Sequence, residues 1–157
     1  MQIRNACPED VSEITRVLFQ LAEFTNLENK LKFDEKSIHD LIFSENAFLH
    51  ALLVDSGQAI SGMCLFYPIC SSWRGETGVY VLDLYVDSEL RGTGIGRKLL
   101  HAVAKAAQEK WRANYMILDV DKENQSGIGF YENMGFAVND DDHTMVALSS
   151  VFSTFLK

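Results

Sequence analysis

Three glycines at alternate positions, Gly92, Gly94 and Gly96, lie between Arg91 and Arg97 where an apolar run gives way to a helical pattern. A turn of this kind presents several backbone N–H groups to an anion at a helix N-terminus, and a pyrophosphate fits that description. Glycine suits the positions because side chains would block close approach and because some of them require positive φ. The alternative is a glycine-rich connection that holds nothing. A dinucleotide fingerprint needs GxGxxG, whereas here the third glycine falls at Gly96, position 97 is arginine and the strand lies mid-chain. A P-loop needs GxxxxGK[ST], and that string does not occur.

Just upstream, Asp83 is the one charged residue in Val79-Tyr80-Val81-Leu82-Asp83-Leu84-Tyr85-Val86. A carboxylate in so apolar a run needs a partner. It can bind or deprotonate an ammonium group, or it can be a buried acid satisfied by Arg, Lys or backbone N–H. Asp119 is a second candidate for an acceptor site, although it ends a strand where solvated acids are common. The histidines His39, His50, His101 and His143 show neither HExxH nor other metal-ligand spacing, so no metal is expected. No GxSxG occurs and Cys7, Cys64 and Cys70 have no catalytic context, which speaks against a covalent enzyme intermediate.

These groups must be positioned by regular elements. A strand is expected near residues 2–5, and an amphipathic helix follows Pro8 with Val11, Ile14, Leu18, Leu21 and Ala22 at helical spacing. A second helix starts at Asp34 and ends near Ser44. Runs 47–54 and 59–67 read as strands around the turn Asp55-Ser56-Gly57-Gln58, and 79–86 as an interior strand. A helix over 94–110, a strand over 115–120, a short helix over 124–134 stopped by Gly135 and a last strand over 144–148 complete the order βααβββαβαβ. The fold class is α/β, a mixed sheet flanked by helices in one domain over residues 1–157. Its front half is antiparallel, and the glycine turn lies in a parallel crossover.

Arg91-Gly92-Thr93-Gly94-Ile95-Gly96 after Leu84-Tyr85-Val86 resembles the [QR]xxGx[GA] acetyl-CoA motif of GNAT acetyltransferases. Asn124 to Phe136, with Ser126, Gly127, Tyr131 and Gly135, is similar to the superfamily's second signature, NxxaixfYexxGF. Leu21-Ala22-Glu23-Phe24 with Trp73 and Asp83 resembles the diamine (spermidine/spermine) acetyltransferase branch. The resemblance implies acetyl-CoA as cosubstrate. Leu84, Tyr85 and Val86 would pair with its pantetheine arm and Gly92 to Arg97 would cradle the pyrophosphate, while Asn124, Ser126 and Gly127 would touch the distal arm. It implies that Tyr131 faces the sulfur as general acid, the alternative being a ring that only packs. It also implies an acceptor site including Phe24, Thr25, Trp73, Leu82 and Asp119, and it favours a homodimer; Val151, Phe152, Phe155 and Leu156 either seal that dimer or pack in the core. Where the diamine branch carries acids, this chain has Thr25, Ser71 and Leu82, so a smaller amine or an amino-acid-like acceptor becomes plausible. Asp140-Asp141-Asp142 is either compensation at the pocket mouth or a solvated turn.

The remaining composition bounds the partners. The chain has 157 residues and a formal charge of −8, which opposes nonspecific binding to nucleic acid or an anionic membrane. No run approaches a transmembrane span and no apolar signal region opens the chain; with an odd number of cysteines, read as reduced core thiols, the expected location is cytoplasmic. A primary amine must lose a proton before it attacks, at a cost of about 4 to 5 kcal/mol for a pKa of roughly 10.4, so an amine acetyltransferase must supply or relay a base. The rival readings are a noncatalytic acyl-CoA-binding module and an acetyltransferase for protein lysine or N-terminal amines.

Overall fold

Arg4 shows how the sheet's first edge is fixed. It lies on β1 (Gln2–Asn5), which pairs antiparallel with β2 (His50–Asp55). Its guanidinium spans Asp55 on β2 (Nε to Oδ2, 2.8 Å) and Asp10 (2.7 and 2.8 Å), and Asp10 precedes α1 (Val11–Phe24). The structure, a computed structural model, describes residues 1–27, 29–139, 145, 147, 151 and 153–156. They fall into two compact units, Met1–Asp119 and Val120–Lys157.

In the first unit α1 is followed by α2 (Glu35–Phe43), whose N-terminus is capped by Asp34 accepting from the Ser37 amide. The strands β2, β3 (Ile60–Ser71), β4 (Glu76–Val86) and β5 (Tyr115–Leu118) come next, with α3 (Ile95–Trp111) between the last two. The five-stranded sheet has the order β1-β2-β3-β4-β5, antiparallel throughout except for the parallel β4/β5 pair. Alternate residues point to opposite faces. One face packs Leu49, Ala51, Leu53, Met63, Leu65 and Tyr85 against Ile14, Val17, Leu18 and Ile38 of α1 and α2. α3 buries Leu99, Leu100, Val103 and Ala107 and carries the parallel crossover from β4 to β5. The protein is therefore a mixed α/β fold with helices flanking a mixed sheet.

The element order follows the sequence pattern as far as the described residues extend, with three differences. β2 begins at His50, not residue 47, because the Leu49 amide turns to the Leu41 carbonyl at the end of α2 (3.1 Å). β3 runs on through Pro68 to Ser71 and a tight turn leads into Glu76, a hairpin that Pro68 hides. The proline is tolerated because β2 accompanies β3 only as far as Phe66, so a missing N–H deprives no neighbour. Of the expected core thiols only Cys64 is buried; Cys7 and Cys70 are exposed, and all three are free. The expected strand over 144–148 lies outside the described residues apart from positions 145 and 147, as do Asp140, Asp141, Asp142, His143 and Phe152. Among the described residues, no helix is long and apolar enough to cross a membrane.

Candidate active site

The site begins with an irregularity in β4. Leu65 of β3 pairs with Asp83 while Phe66 pairs with Val81, so Leu82 is an extra residue, a β-bulge that bends the strand. β5 accompanies β4 only over Gly78 to Val81. Beyond that point, among the described residues, Leu82 to Val86 has no strand on its second side. The Asp87 amide donates to the Ser61 carbonyl across β3 (2.9 Å), and antiparallel alternation then turns the amide groups of Tyr85 and Asp83 toward β3. Those of Leu84 and Val86 face the gap. Arg91 Nε takes the Val86 carbonyl (2.9 Å), which leaves the Leu84 N–H and C=O and the Val86 N–H as a short open β edge.

The glycine turn adjoins this edge. Gly92 and Gly94 have φ of +76° and +86°, values that side-chain-bearing residues rarely adopt, and Gly94 occupies the cap position of α3. Among the described residues, none of the N–H groups of Gly92, Gly94, Ile95, Gly96 and Arg97 donates a hydrogen bond; the first donor of the helix is Lys98, to Gly94. The Thr93 side chain is turned back to the Leu90 carbonyl (2.6 Å), out of the way of these amides. The first turn of α3 has no acidic residue but carries Arg97 and Lys98, a charge arrangement that opposes the helix dipole and favours an anion. Arg91 is held in place by the Phe24 ring, 4.1 Å from its guanidinium carbon, and lies 5.8 Å from the Tyr85 ring.

Asp83 is half-buried on the same face as Tyr85 and Leu65, and among the described residues it has no hydrogen-bond or ion-pair partner. Burial alone pushes its carboxyl up to about 6. Among the described residues, no Arg, Lys or backbone N–H satisfies this acid. The next residue of β4 on this face is Tyr80, whose hydroxyl donates to Asp119 Oδ2 at 2.6 Å; burial and that bond hold its phenol well above the ordinary range. Tyr80 stacks on Tyr67 (5.1 Å between centroids, 26° between planes), and Phe48 meets Tyr67 edge-on at 6.1 Å.

The structure therefore brings Asp83, Leu84, Val86, Arg91 and the glycine turn together, with Phe24 beside Arg91 and Leu82 (40% exposed) at the bulge. It ties Asp119 to Tyr80. Thr25 closes the end of α1, its hydroxyl donating to the Leu21 carbonyl at 2.9 Å. Trp73 is not brought in: it sits at the tip of the β3–β4 hairpin, 99% exposed, with six residues of β4 between Glu76 and Asp83, at about 3.4 Å per residue, separating them. Tyr80, Tyr67 and Phe48 were not identified from the sequence; two tyrosines in adjacent apolar strands were the available sign, but their cross-strand pairing needs the bulge to be known. A shallow cavity of about 260 Å³ lined by Val79, Ala104, Ala107, Tyr115 and Met116 contains none of the candidate residues.

In the second unit, α4 (Gln125–Glu132) starts at Asn124, whose side chain caps the helix by accepting from the Gly127 amide at 2.9 Å. A Cβ at Gly127 would lie 2.7 Å from the side-chain Nδ2 of Asn124, so a larger residue here would push the capping side chain aside. Ser126 is exposed in the first turn. Tyr131 is half-buried, edge-on to Phe130 (5.1 Å) and Phe136 (5.6 Å), and its carbonyl accepts from the Met134 and Phe136 amides. Among the described residues, no group of three or more His, Cys, Asp or Glu is placed to hold a metal ion.

The sequence model of the family described as "Acetyltransferase (GNAT) family" matches residues 13–136. The chain is 32% identical over 142 residues to the thialysine N-epsilon-acetyltransferase of Mus musculus, covering 85% of this chain and 82% of the mouse protein. It is 31% identical over 144 residues to the spermidine/spermine N(1)-acetyltransferase-like protein 1 of Homo sapiens, covering 85% of this chain and 20% of that protein. In fold it is similar to an integron cassette protein from the mobile metagenome of V. cholerae, with a TM-score of 0.80, 16% identity and coverage of 99% and 97% of the two chains.

Proposed function

The chain belongs to the acetyltransferase (GNAT) family and is an acetyltransferase; on that premise we propose that it moves the acetyl group of acetyl-CoA to a primary amine by direct attack. The observation that carries this reading is the open β4 edge at Leu84 and Val86, beside a row of amides that, among the described residues, donate to nothing and a carboxylate that has no partner among them. The names of the relatives put thialysine and spermidine/spermine among the amines acted on in the family, which supports an amine as acceptor here too.

Acetyl-CoA, when bound, supplies an activated thioester. The amides of Gly92, Gly94, Ile95, Gly96 and Arg97 suit its pyrophosphate, and glycine at positions 92 and 94 keeps the approach clear: a Cβ there would meet no atom within 4 Å. The open edge groups of Leu84 and Val86 suit an amide-bearing arm laid alongside β4, with the Leu84 N–H able to donate to a carbonyl oxygen on which negative charge develops.

Asp83 acts on the acceptor. A carboxylate that burial already destabilises gains from a neighbouring ammonium, so it binds the protonated amine. Raised to about 6, it is also a stronger base than a solvated aspartate, closer to the range in which a base works well near neutral pH. The bound ammonium first gives up one proton to solvent; the free amine then attacks the thioester carbon, and as the N–C bond forms and the C–S bond breaks Asp83 takes the second proton from the now acidic nitrogen. Tyr131 is assigned the return of a proton to the departing sulfur, a role that the family resemblance supplies. Acetyl-CoA titrated by calorimetry into the wild type and a Gly94→Ala variant tests the first half of this reading. Submicromolar to micromolar binding that weakens in the variant supports it, and absence of binding to the wild type refutes it.

A further inference from the structure

Resting on the amine-acetylation reading, we infer that the preferred acceptor is a primary monoamine with an aryl or branched alkyl tail, its ammonium on Asp83 and its tail against Leu82, Tyr80, Tyr67 and Phe48. Two sets of observations point away from a di- or polyamine. The first is charge. Asp83 is without a partner among the described residues, while Asp119, the next acid along this face, is already engaged by the Tyr80 hydroxyl at 2.6 Å. The bulge residue between Val81 and Asp83 is Leu82, 40% exposed and unable to meet a second ammonium. A second cation along this stretch of β4 would lose water and, among these described residues, meet only Asp119, for which it would compete with the Tyr80 hydroxyl.

The second is shape and polarity. Leading away from Asp83 on β4 are Tyr80, then Tyr67 stacked on it, then Phe48 edge-on to Tyr67 and 55% exposed. Tyr67 and Tyr80 cover one face of each other and Phe48 meets Tyr67 edge-on, a row of ring surface that suits a hydrocarbon tail. An exposed leucine and an exposed phenylalanine at either end of a tyrosine pair cost little when covered by a tail and are unfavourable when left wet.

The test is a rate comparison at pH 8 with acetyl-CoA and one amine at a time: 2-phenylethylamine, isobutylamine, putrescine, spermidine and lysine, each product confirmed by mass spectrometry. The expected result is kcat/KM for 2-phenylethylamine on the order of tenfold above putrescine and spermidine, the range that aromatic contacts supply. Phe48→Ala then raises KM for 2-phenylethylamine several-fold while isobutylamine changes by less than about twofold. Leu82→Glu raises kcat/KM for putrescine on the order of tenfold by giving the second ammonium a partner. Acetylation that favours putrescine, spermidine or lysine in the wild type, or that ignores both substitutions, overturns this inference and leaves amine acetylation standing. No acetylated product from any amine overturns the underlying reading and this inference with it.

Discussion

Replacing Asp83 with asparagine should make the protein more stable and less active, and the two effects should titrate together. The wild-type carboxyl lies on β4 with no partner among the described residues and is raised from its ordinary 3.8 to about 6 by burial. At about 1.4 kcal/mol per pH unit, that rise corresponds to a penalty of about 3 kcal/mol on the folded state when the group is charged. The side chain is only half-buried and water reaches it, so we halve this to roughly 1.5 kcal/mol. The penalty is complete above the folded-state value, shrinks as pH falls through about 6 and is gone below the unfolded value of about 3.9. Urea denaturation of wild type and Asp83→Asn should accordingly show the variant more stable by roughly 1.5 kcal/mol at pH 8, with the gap closing toward pH 4. In the transfer reaction kcat/KM of the wild type should fall on the acid side of about 6, and the variant should lose roughly a hundredfold or more and lack that limb. A variant that is less stable at pH 8, or a stability gap that does not change with pH, would refute the reasoning about Asp83.

Three other outcomes are expected. Gly94→Ala forces a non-glycine residue into φ near +86°, costing about 1 kcal/mol of stability, and weakens acetyl-CoA binding beyond that; a thermal melt paired with calorimetry separates the two. Tyr131→Phe lowers kcat by about tenfold or more with little change in KM for acetyl-CoA, measured by steady-state kinetics; unchanged transfer removes Tyr131 from the chemistry. Arg4→Met strips Asp10, 8% exposed, of its bidentate partner and costs about 3 kcal/mol. Arg4 holds the Asp10 carboxyl well below the usual range, so this stabilisation is complete above the unfolded value of about 3.9 and is lost as pH falls further; the gap between wild type and variant in denaturant titrations narrows in acid.

What was legible in the sequence is what depends on local chemistry. The glycine spacing at 92, 94 and 96 marked the turn whose amides lie open at the start of α3, and the periodicities marked the order of strands and helices over the described residues. Asp83 stood out as the one charge in an apolar strand, but which of its two readings holds depends on three-dimensional neighbours, and among the described residues none is a partner. The bulge at Leu82 leaves no mark on the run Val79 to Val86, since one extra residue between two apolar stretches changes no composition. For the same reason the open edge at Leu84 and Val86 was reached through resemblance and not through pattern. Tyr80 and Asp119 are 39 residues apart, and their bond exists only because the crossover through α3 sets β5 beside β4. Trp73 was carried over by resemblance, but the turn after Ser71 puts it at a hairpin tip.

The central claim is acetyl transfer to an amine, and the direct measurement is thiol release from acetyl-CoA in the presence of amines, amino acids and lysine-containing peptides, with mass spectrometry of the products. The account predicts amine-dependent release, an N-acetylated product and loss of both in Asp83→Asn. Tight acetyl-CoA binding with no acetylated product from any acceptor would contradict it and would make the chain a noncatalytic acyl-CoA-binding protein.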